Sequence, residues 1–204
     1  MSFRPFPASA CWQHRGARAG FEVAYFRAGA GWLIEGTTTA LEDGQTWAVT
    51  YGIEVDAAWA TRRAHIAATT VTGRREIRLE SDGAGHWHIG GEPAPHLDGC
   101  LDVDLESSAM TNTLPVHRLG LRPGARADAP AAYVRAATLT TDRLDQAYRR
   151  LPDQGVQACY DYAAPAFGFT ARLVYDETGL IVDYPGIATR AGEKDPGKSR
   201  IGEQ

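Results

Sequence analysis

The stretch CLDVDLESSAMTNTLPVHRLGL, residues 100–121, decides how the rest of the chain is interpreted. Its residues 101–106 alternate strictly between an apolar side chain and an acidic one. A period of two predicts a strand that has one apolar face and one polar face. A polar turn over residues 107–113 follows, and the second apolar run, residues 114–121, predicts another extended segment.

Strand patterns extend from this stretch toward both ends of the chain. Residues 47–55 alternate between apolar and polar side chains, which predicts a strand with one buried face. Residues 169–175 and 180–184 are two further apolar runs, and the DETG sequence between them is typical of a hairpin turn. We therefore predict a mainly β (α+β) protein with a large, curved antiparallel sheet of half-barrel or sandwich type.

The helical period occurs once in the sequence. Leu144, Ala147, Tyr148 and Leu151 are spaced as i, i+3, i+4 and i+7, so one face of a helix would be apolar. These residues predict one short helix, at about residues 142–151, packed on the sheet.

Length and composition limit the classes of protein. The 204 residues carry a net charge of −4, which gives no broad basic surface and argues against a nucleic-acid partner. No apolar run is long enough to span a membrane, and the N-terminus lacks the pattern of a signal peptide. We expect a cytoplasmic protein, with contact to the inner leaflet left open, that has a single β-rich domain over residues 1–186 and a mobile charged tail over residues 187–204.

Three cysteines, at positions 11, 100 and 159, are too widely spaced for a metal site, and their odd number does not fit a disulfide framework. We expect them to be reduced and structural. No motif predicts a metal site, a cofactor or a nucleophilic catalytic residue, and a homodimer stays open.

Asp102 and Asp104 are the first candidate site residues, because a strand would place both carboxylates on one face, roughly 6.5–7 Å apart. Such a pair could perform general acid–base chemistry or hold a cation. It could equally be structural, with the carboxylates paired to Arg62, Arg63 or Arg118.

Asn112 and Arg118 extend this polar group. Asn112 could hydrogen-bond the hydroxyls of a sugar, or it could form the turn that its residue type favours. Arg118 is predicted to point toward the apolar side, where it would be either a partner of Asp102 or Asp104 or an anchor for an anion.

Aromatic residues on the predicted strands complete the candidate site. Most of them must lie in the core, but those on the concave face of a half-barrel would line a groove for acyl chains or sugar rings. We assign Trp47, Trp59 and Tyr184 to this ligand-binding group, together with Arg62.

Several segments together carry a resemblance to a known family. They are Trp12 with GFE (20–22), the run from Tyr51 to Arg62, GHW (85–87), CLDVDL (100–105), TNTLPVHRL (111–119), QAY (146–148), YDY (160–162), and the run from VYD (174–176) to DYP (183–185). In these segments the chain resembles the putative glycolipid-binding family of bacterial proteins, over nearly its whole length.

The resemblance implies a long antiparallel sheet curved into a half-barrel, similar to carriers of lipoproteins and glycolipids. It also implies an arginine at the position of His117, so any contact of that position with an anionic headgroup would lack the permanent charge here.

These observations lead to three functional hypotheses. The first is non-catalytic binding of an amphipathic, lipid-like or glycolipid-like molecule in the concave cavity. The second is a small-molecule hydrolase or isomerase that uses Asp102 and Asp104 with Arg118, and the third is an interaction module that pairs through a sheet edge. A deep, apolar, empty cavity would favour the binding of an amphipathic molecule. A small polar pocket that encloses both aspartates would favour the enzyme. A packed interior with a long unpaired strand would favour the interaction module.

Overall fold

The computed structural model describes residues 3–192 and consists of β-strands, short 3-10 turns and one α-helix. The first part of the chain forms eight strands: β1 (Ser9–His14), β2 (Ala19–Ala28), β3 (Trp32–Glu42), β4 (Gln45–Val55), β5 (Thr61–Thr70), β6 (Gly73–Ser81), β7 (Trp87–Ile89) and β8 (Glu92–Pro93). The middle part forms β9 (Asp102–Leu105), α1 (Thr113–Leu119), β10 (Arg126–Asp128), β11 (Ala131–Val134) and β12 (Thr141–Leu144). The last part forms β13 (Ala147–Arg150), β14 (Ala158–Ala164), β15 (Phe169–Tyr175), β16 (Ile181–Tyr184) and β17 (Ala188–Ala191).

Fourteen of the strands form one antiparallel sheet in the order β10-β13-β14-β15-β16-β17-β1-β2-β3-β4-β5-β6-β7-β8. The first and last strands of the described chain, β1 and β17, therefore pair in the middle of the sheet. The sheet ends at β10 and β8 and does not close into a barrel. Both edge strands are only two or three residues long. Because β7 pairs with only the last three residues of β6, residues 73–78 of β6 also lie at an edge of the sheet. The predicted fold class, a large curved antiparallel sheet with one short helix, is confirmed.

A second, small sheet has the order β12-β11-β9. β11 and β12 are antiparallel, whereas β9 and β11 are parallel, so the protein is not purely antiparallel. All four residues of β9 are buried, so both faces of this strand lie inside the protein. The predicted strand in this stretch is confirmed, but its acidic side chains are inside the protein.

The inward face of the large sheet follows the alternation predicted from the sequence. In β4, Trp47, Val49, Tyr51, Ile53 and Val55 are buried, and the residues between them are more exposed. The inserted segment, residues 100–119, lies against this face and is bonded by both halves of the sheet. In one half, Glu22 on β2 accepts bonds from residues 108–110, and in the other half Tyr175 on β15 donates to the backbone carbonyl of Asn112. The sheet therefore curves around its own central sequence.

Glu22 on β2 is the main polar link between the sheet and the inserted segment. Its side chain is fully buried, and its carboxylate accepts four hydrogen bonds. The donors are the hydroxyls of Tyr51 (2.7 Å) and Ser108 and the backbone N–H groups of Ala109 (2.8 Å) and Met110 (3.3 Å). Burial raises the pKa of Glu22, and these four bonds oppose the rise.

The position of Gly36 makes the bond between Tyr51 and Glu22 geometrically accessible. Gly36 on β3 lies directly between Ala24 on β2 and Tyr51 on β4. A Cβ atom at Gly36 would be 2.2 Å from the Tyr51 ring, so the ring occupies the space of the missing side chain. The tyrosine thus crosses β3 and reaches the glutamate on the next strand.

The second half of the opening stretch is helical, so the prediction of an extended segment over residues 114–121 is wrong. Pro115 lies in the first turn of α1, where its missing N–H is not needed, and Gly120 ends the helix with a φ of 51°. Residues 113–116 are all buried, so the sequence contains no polar face to reveal the helical period. None of the helices within residues 3–192 is long and apolar enough to cross a membrane.

The helix predicted at residues 142–151 is absent, and two strands of different sheets replace it. Leu144 ends β12 in the small sheet, where it pairs with Ala131. Tyr148 belongs to β13 in the large sheet, where it pairs with Tyr162. Each strand buries its own apolar residues, and the break between the strands gives the helical spacing by coincidence.

The predicted mobile tail, residues 187–204, is wrong for its first residues. Ala188–Ala191 form β17, which is paired with β1 on one side and β16 on the other. Residues 193–204 lie outside the described part of the chain. The three cysteines are all free, and Cys100 and Cys159 are buried.

We predict that Glu22→Ala lowers the free energy of unfolding by about 3 kcal/mol or more, because it leaves several buried donors without an acceptor. Urea denaturation of the purified variant measures this change. Glu54→Ala is the matched control, since Glu54 is an exposed glutamate on β4, and its effect should stay within about 0.5 kcal/mol. Equal effects of the two substitutions would contradict the role assigned to Glu22.

Candidate functional site

A cavity of about 330 Å³ lies between the large sheet and the small one. Its wall is built from segments that are far apart in sequence: the turn at residues 15–18, β9 and the residue after it, β11, β14 and β15, and residues 184–187. We call it the Asp104 pocket, after the acidic residue that lines it. It is the space that remains after the inserted segment has filled most of the sheet's concave side.

Asp104 supplies the pocket with a buried carboxyl group. β9 holds the residue, and the hydroxyl of Thr111 donates a hydrogen bond to its Oδ1 at 3.1 Å. Only 5% of Asp104 is exposed, and this burial, together with the charges of Asp102 and Glu106, raises its pKa to about 7. Near neutral pH the group is thus divided between a hydrogen-bond donor and a charged acceptor.

Aromatic rings form much of the pocket wall. Tyr162, Phe169 and Tyr184 contact one another, with ring centroids 5.9–6.1 Å apart. Tyr133 and Phe167 form a second pair at 5.4 Å. These rings offer flat apolar faces, and the tyrosines add hydroxyl groups at their edges.

Charged residues surround the remaining part of the pocket as a linked set. Arg18 donates to Glu42 Oε1 at 2.9 Å and lies 3.6 Å from Glu106 Oε1, and Arg135 approaches the same Glu106 oxygen at 3.7 Å. The guanidinium of Arg18 also lies over the Trp47 ring, 5.6 Å from its centroid. The two arginines and two glutamates therefore neutralise one another.

Two of the residues predicted from the sequence to bind ligand, Asp104 and Tyr184, line this pocket. Trp47 lies behind the wall, where it contacts Arg18 and donates to Glu42 Oε2 at 3.3 Å. The other five predicted site residues lie elsewhere: Asp102, Asn112, Arg118, Arg62 and Trp59.

Asp102 and Arg118 form an ion pair inside the protein. The Nε and NH2 groups of Arg118 donate to the two carboxylate oxygens of Asp102 at 2.9 and 2.6 Å. Burial raises the pKa of Asp102, and the guanidinium opposes that shift. Of the roles left open for Arg118, this geometry supports the structural one, which connects α1 to β9.

Asn112 belongs to the same buried framework. Its side-chain oxygen accepts a bond from the Tyr148 hydroxyl at 2.8 Å, and its backbone carbonyl accepts one from Tyr175 at 3.2 Å. Both tyrosines come from the large sheet, so Asn112 holds the start of α1 in place.

Trp59 and Arg62 lie outside the Asp104 pocket, and each lines a different cavity, of about 500 and 750 Å³ respectively. Trp59 stacks on His117 with ring centroids 3.9 Å apart, and the His117 ring bonds the Thr178 carbonyl at 3.0 Å. Burial lowers the pKa of His117 to about 4, so the imidazole is neutral at pH 7. Arg62 pairs with Asp56 at 3.4 Å. Position 117 therefore serves aromatic packing and provides no anion contact in this structure.

Arg18, Glu106, Tyr133, Phe167 and Phe169 line the pocket but were not among the predicted site residues. The alternation of residues 101–106 could have indicated Glu106, which shares the acidic face of Asp102 and Asp104, whereas no local pattern marks the other four. Their proximity depends on how β9, β11 and the large sheet pack together.

Fold and pocket together define a class of protein: an open, curved β-sheet wrapped around an inserted segment, with a small aromatic-walled pocket beside that segment. The chain belongs to the putative glycolipid-binding family, whose sequence model matches residues 9–190. The resemblance found in the sequence is thereby confirmed.

Solved structures agree with this assignment. The crystal structure of a DUF1089 family protein from Pseudomonas aeruginosa is 34% identical, with a TM-score of 0.75, and the match covers 93% of this chain and 96% of that one. A beta-barrel-like protein of domain of unknown function DUF1849 from Brucella abortus is 12% identical, with a TM-score of 0.53 and the same coverage. At that identity the likeness shows the fold alone. No curated protein matches the chain.

The raised pKa of Asp104 predicts that the stability of the protein falls as the pH rises. A carboxyl group whose pKa is about 7 in the folded state and 3.8 in the unfolded chain holds its proton more tightly when folded. Its contribution to stability is therefore complete below about pH 4 and is lost as the pH rises through about 7, by about 4 kcal/mol in all.

Asp104→Asn should remove this loss, so that the variant is more stable than the parent protein at about pH 8 and similar to it at about pH 4.5. Urea denaturation across this range measures the difference. Asp128→Asn, at an exposed aspartate, is the control and should leave the profile unchanged. Parallel profiles for the parent protein and Asp104→Asn would refute the assignment.

Proposed function

We propose that this protein binds an amphipathic small molecule in the Asp104 pocket without catalysing a reaction. The observation that carries the proposal is the pocket itself, which combines aromatic walls with a buried carboxyl at about 330 Å³. Small-molecule sites typically have such a mostly apolar lining with a few polar groups that orient the ligand.

The contacts of the proposed ligand follow from the pocket wall. Tyr184, Tyr162 and Phe169 would cover its apolar surface, and Asp104 would bond its polar groups. Trp47 would act indirectly, because it supports Arg18 from behind.

In this proposal the remaining predicted residues serve the architecture. Asp102, Asn112 and Arg118 hold the inserted segment, without which the pocket would lose one wall. Arg62 and Trp59 take no part in ligand contact.

The family assignment is a second, weaker support. The family's description names a glycolipid, which is an amphipathic molecule, and the chain matches the family over residues 9–190.

The alternative of an enzyme that uses Asp102 and Asp104 with Arg118 has no support among the described residues. Such an enzyme would need both carboxylates in one pocket. Asp104 lines the cavity, whereas both oxygens of Asp102 are occupied by Arg118.

Blocking the pocket mouth tests the proposal. Ala17 is exposed and lines the pocket, so Ala17→Trp should fill the entrance without disturbing the core. Ala19→Trp is the matched control, because Ala19 is also exposed and lies two residues away at the start of β2, outside the pocket.

Native mass spectrometry of the three proteins, purified in parallel from their own host, measures any bound molecule. We expect a non-covalent adduct on the parent protein and on Ala19→Trp, reduced at least tenfold on Ala17→Trp. The proposal fails if no adduct is present and added alkyl glycosides or fatty acids do not bind, or if Ala17→Trp binds as well as the control.

A further inference from the structure

The Asp104 pocket is small compared with a complete glycolipid. Its volume of about 330 Å³ is at the lower end of the roughly 300–1,000 Å³ range of small-molecule sites. Beside this pocket, residues 100–119 lie against the sheet and are buried over most of their length. Only one part of an amphipathic molecule can therefore be enclosed, and the chemistry of the wall indicates which part.

The polar groups in the inner part of the pocket make it unsuited to a hydrocarbon chain. The carboxyl of Asp104 lines it, and an acyl chain packed there would remove that carboxyl from water without offering it a hydrogen bond. Tyr162 and Tyr184 add polar atoms to the same region, and the Tyr162 hydroxyl is oriented by its bond to Gln146 Oε1 at 2.7 Å.

A sugar ring matches the same wall. Its C–H faces can pack against the rings of Phe169, Tyr162 and Tyr184, and its hydroxyl groups can bond the Asp104 carboxyl as donors or acceptors. Arg18 is already paired with Glu42, and Arg135 with Glu106, so neither is left as a dedicated partner for an anion. The third arginine of the wall, Arg15, is exposed and donates to the Thr189 hydroxyl at 3.1 Å, so it contributes a positive charge at the solvent side of the pocket.

An apolar exit for a hydrocarbon chain lies at the rim. Phe167 lines the pocket and is 47% exposed, on the 3-10 turn Pro165–Phe167 that precedes β15. A chain leaving the pocket can cover this exposed ring, which gives an amphipathic ligand more contact than its sugar alone.

We propose that the Asp104 pocket binds the sugar ring of the ligand, and that the hydrocarbon chain remains outside and leaves across Phe167. This inference rests on the proposed function and adds an orientation and a chemical class to it. The polar end enters first, which is the reverse of the binding mode in which an acyl chain fills the concave cavity.

Isothermal titration calorimetry with three kinds of probe tests the orientation. The probes are a panel of methyl glycosides (glucose, galactose, mannose, rhamnose and N-acetylglucosamine), the corresponding octyl glycosides, and decanoate. We expect at least one methyl glycoside to bind, its octyl glycoside to bind about tenfold more tightly, and decanoate neither to bind nor to compete.

Two substitutions separate the roles of ring and chain. Asp104→Asn should weaken the binding of the methyl and octyl glycosides by the same factor, about tenfold, because both ligands place the sugar ring beside this carboxyl. Phe167→Ala should remove most of the advantage in affinity of the octyl glycoside over the methyl glycoside, and should weaken the methyl glycoside far less than the octyl glycoside, because the ring is held mainly by the other side of the wall. Phe21→Ala is the control, since Phe21 is exposed to a similar extent, 52%, on the outer face of β2. This substitution should change the affinity for neither the methyl nor the octyl glycoside.

The outcomes distinguish this inference from the proposed function. If decanoate binds, no methyl glycoside does, and Ala17→Trp abolishes decanoate binding, the ligand enters chain first and the orientation is wrong while the proposed function stands. If none of the three probes binds and the protein carries no adduct from its host, both fail. Equal loss of methyl and octyl glycoside binding in Phe167→Ala would contradict the exit path.

Discussion

The buried carboxylate of Glu22 is the interaction on which the rest of the structure depends. It accepts bonds from Tyr51 in the sheet and from Ser108, Ala109 and Met110 in the inserted segment, so one acidic group connects two parts of the chain that are distant in sequence. A carboxylate has enough acceptor positions for four donors, and in a dry interior each donor left without it would cost free energy. This constraint explains why a glutamate lies on the buried face of the sheet.

The inserted segment changes what the curved sheet can do. An empty half-barrel would present a long apolar cavity, but here residues 100–119 occupy it and are held by bonds from both halves of the sheet, through Glu22 in one and through Tyr148 and Tyr175 in the other. The ion pair between Arg118 and Asp102 then connects α1 to β9. What remains is a small pocket beside the segment, and its chemistry is set by the residues that this packing leaves along one side, above all Asp104.

The candidate site could be predicted only in part, and the reason is geometric. The pattern of residues 101–106 correctly placed Asp102 and Asp104 on one strand, yet the two carboxylates have different surroundings. Arg118 forms an ion pair with Asp102, whereas Asp104 lines the pocket. The aromatic and charged residues from β11, β14 and the turn at residues 15–18 come together only through tertiary packing, so no spacing in the sequence could identify them.

The sequence by itself determined several long strands of the large sheet, because burial of one face imposes a period of two that is visible wherever the other face meets solvent, as in residues 47–55. It also determined the turn at residues 176–179 and the family. Only the tertiary structure decided that residues 113–119 are a helix, since its first four residues are all buried and seven residues are too few to show a helical period. Packing likewise decided that residues 141–150 are two strands: pairing with two different sheets outweighed a helical spacing that local propensity alone would have followed.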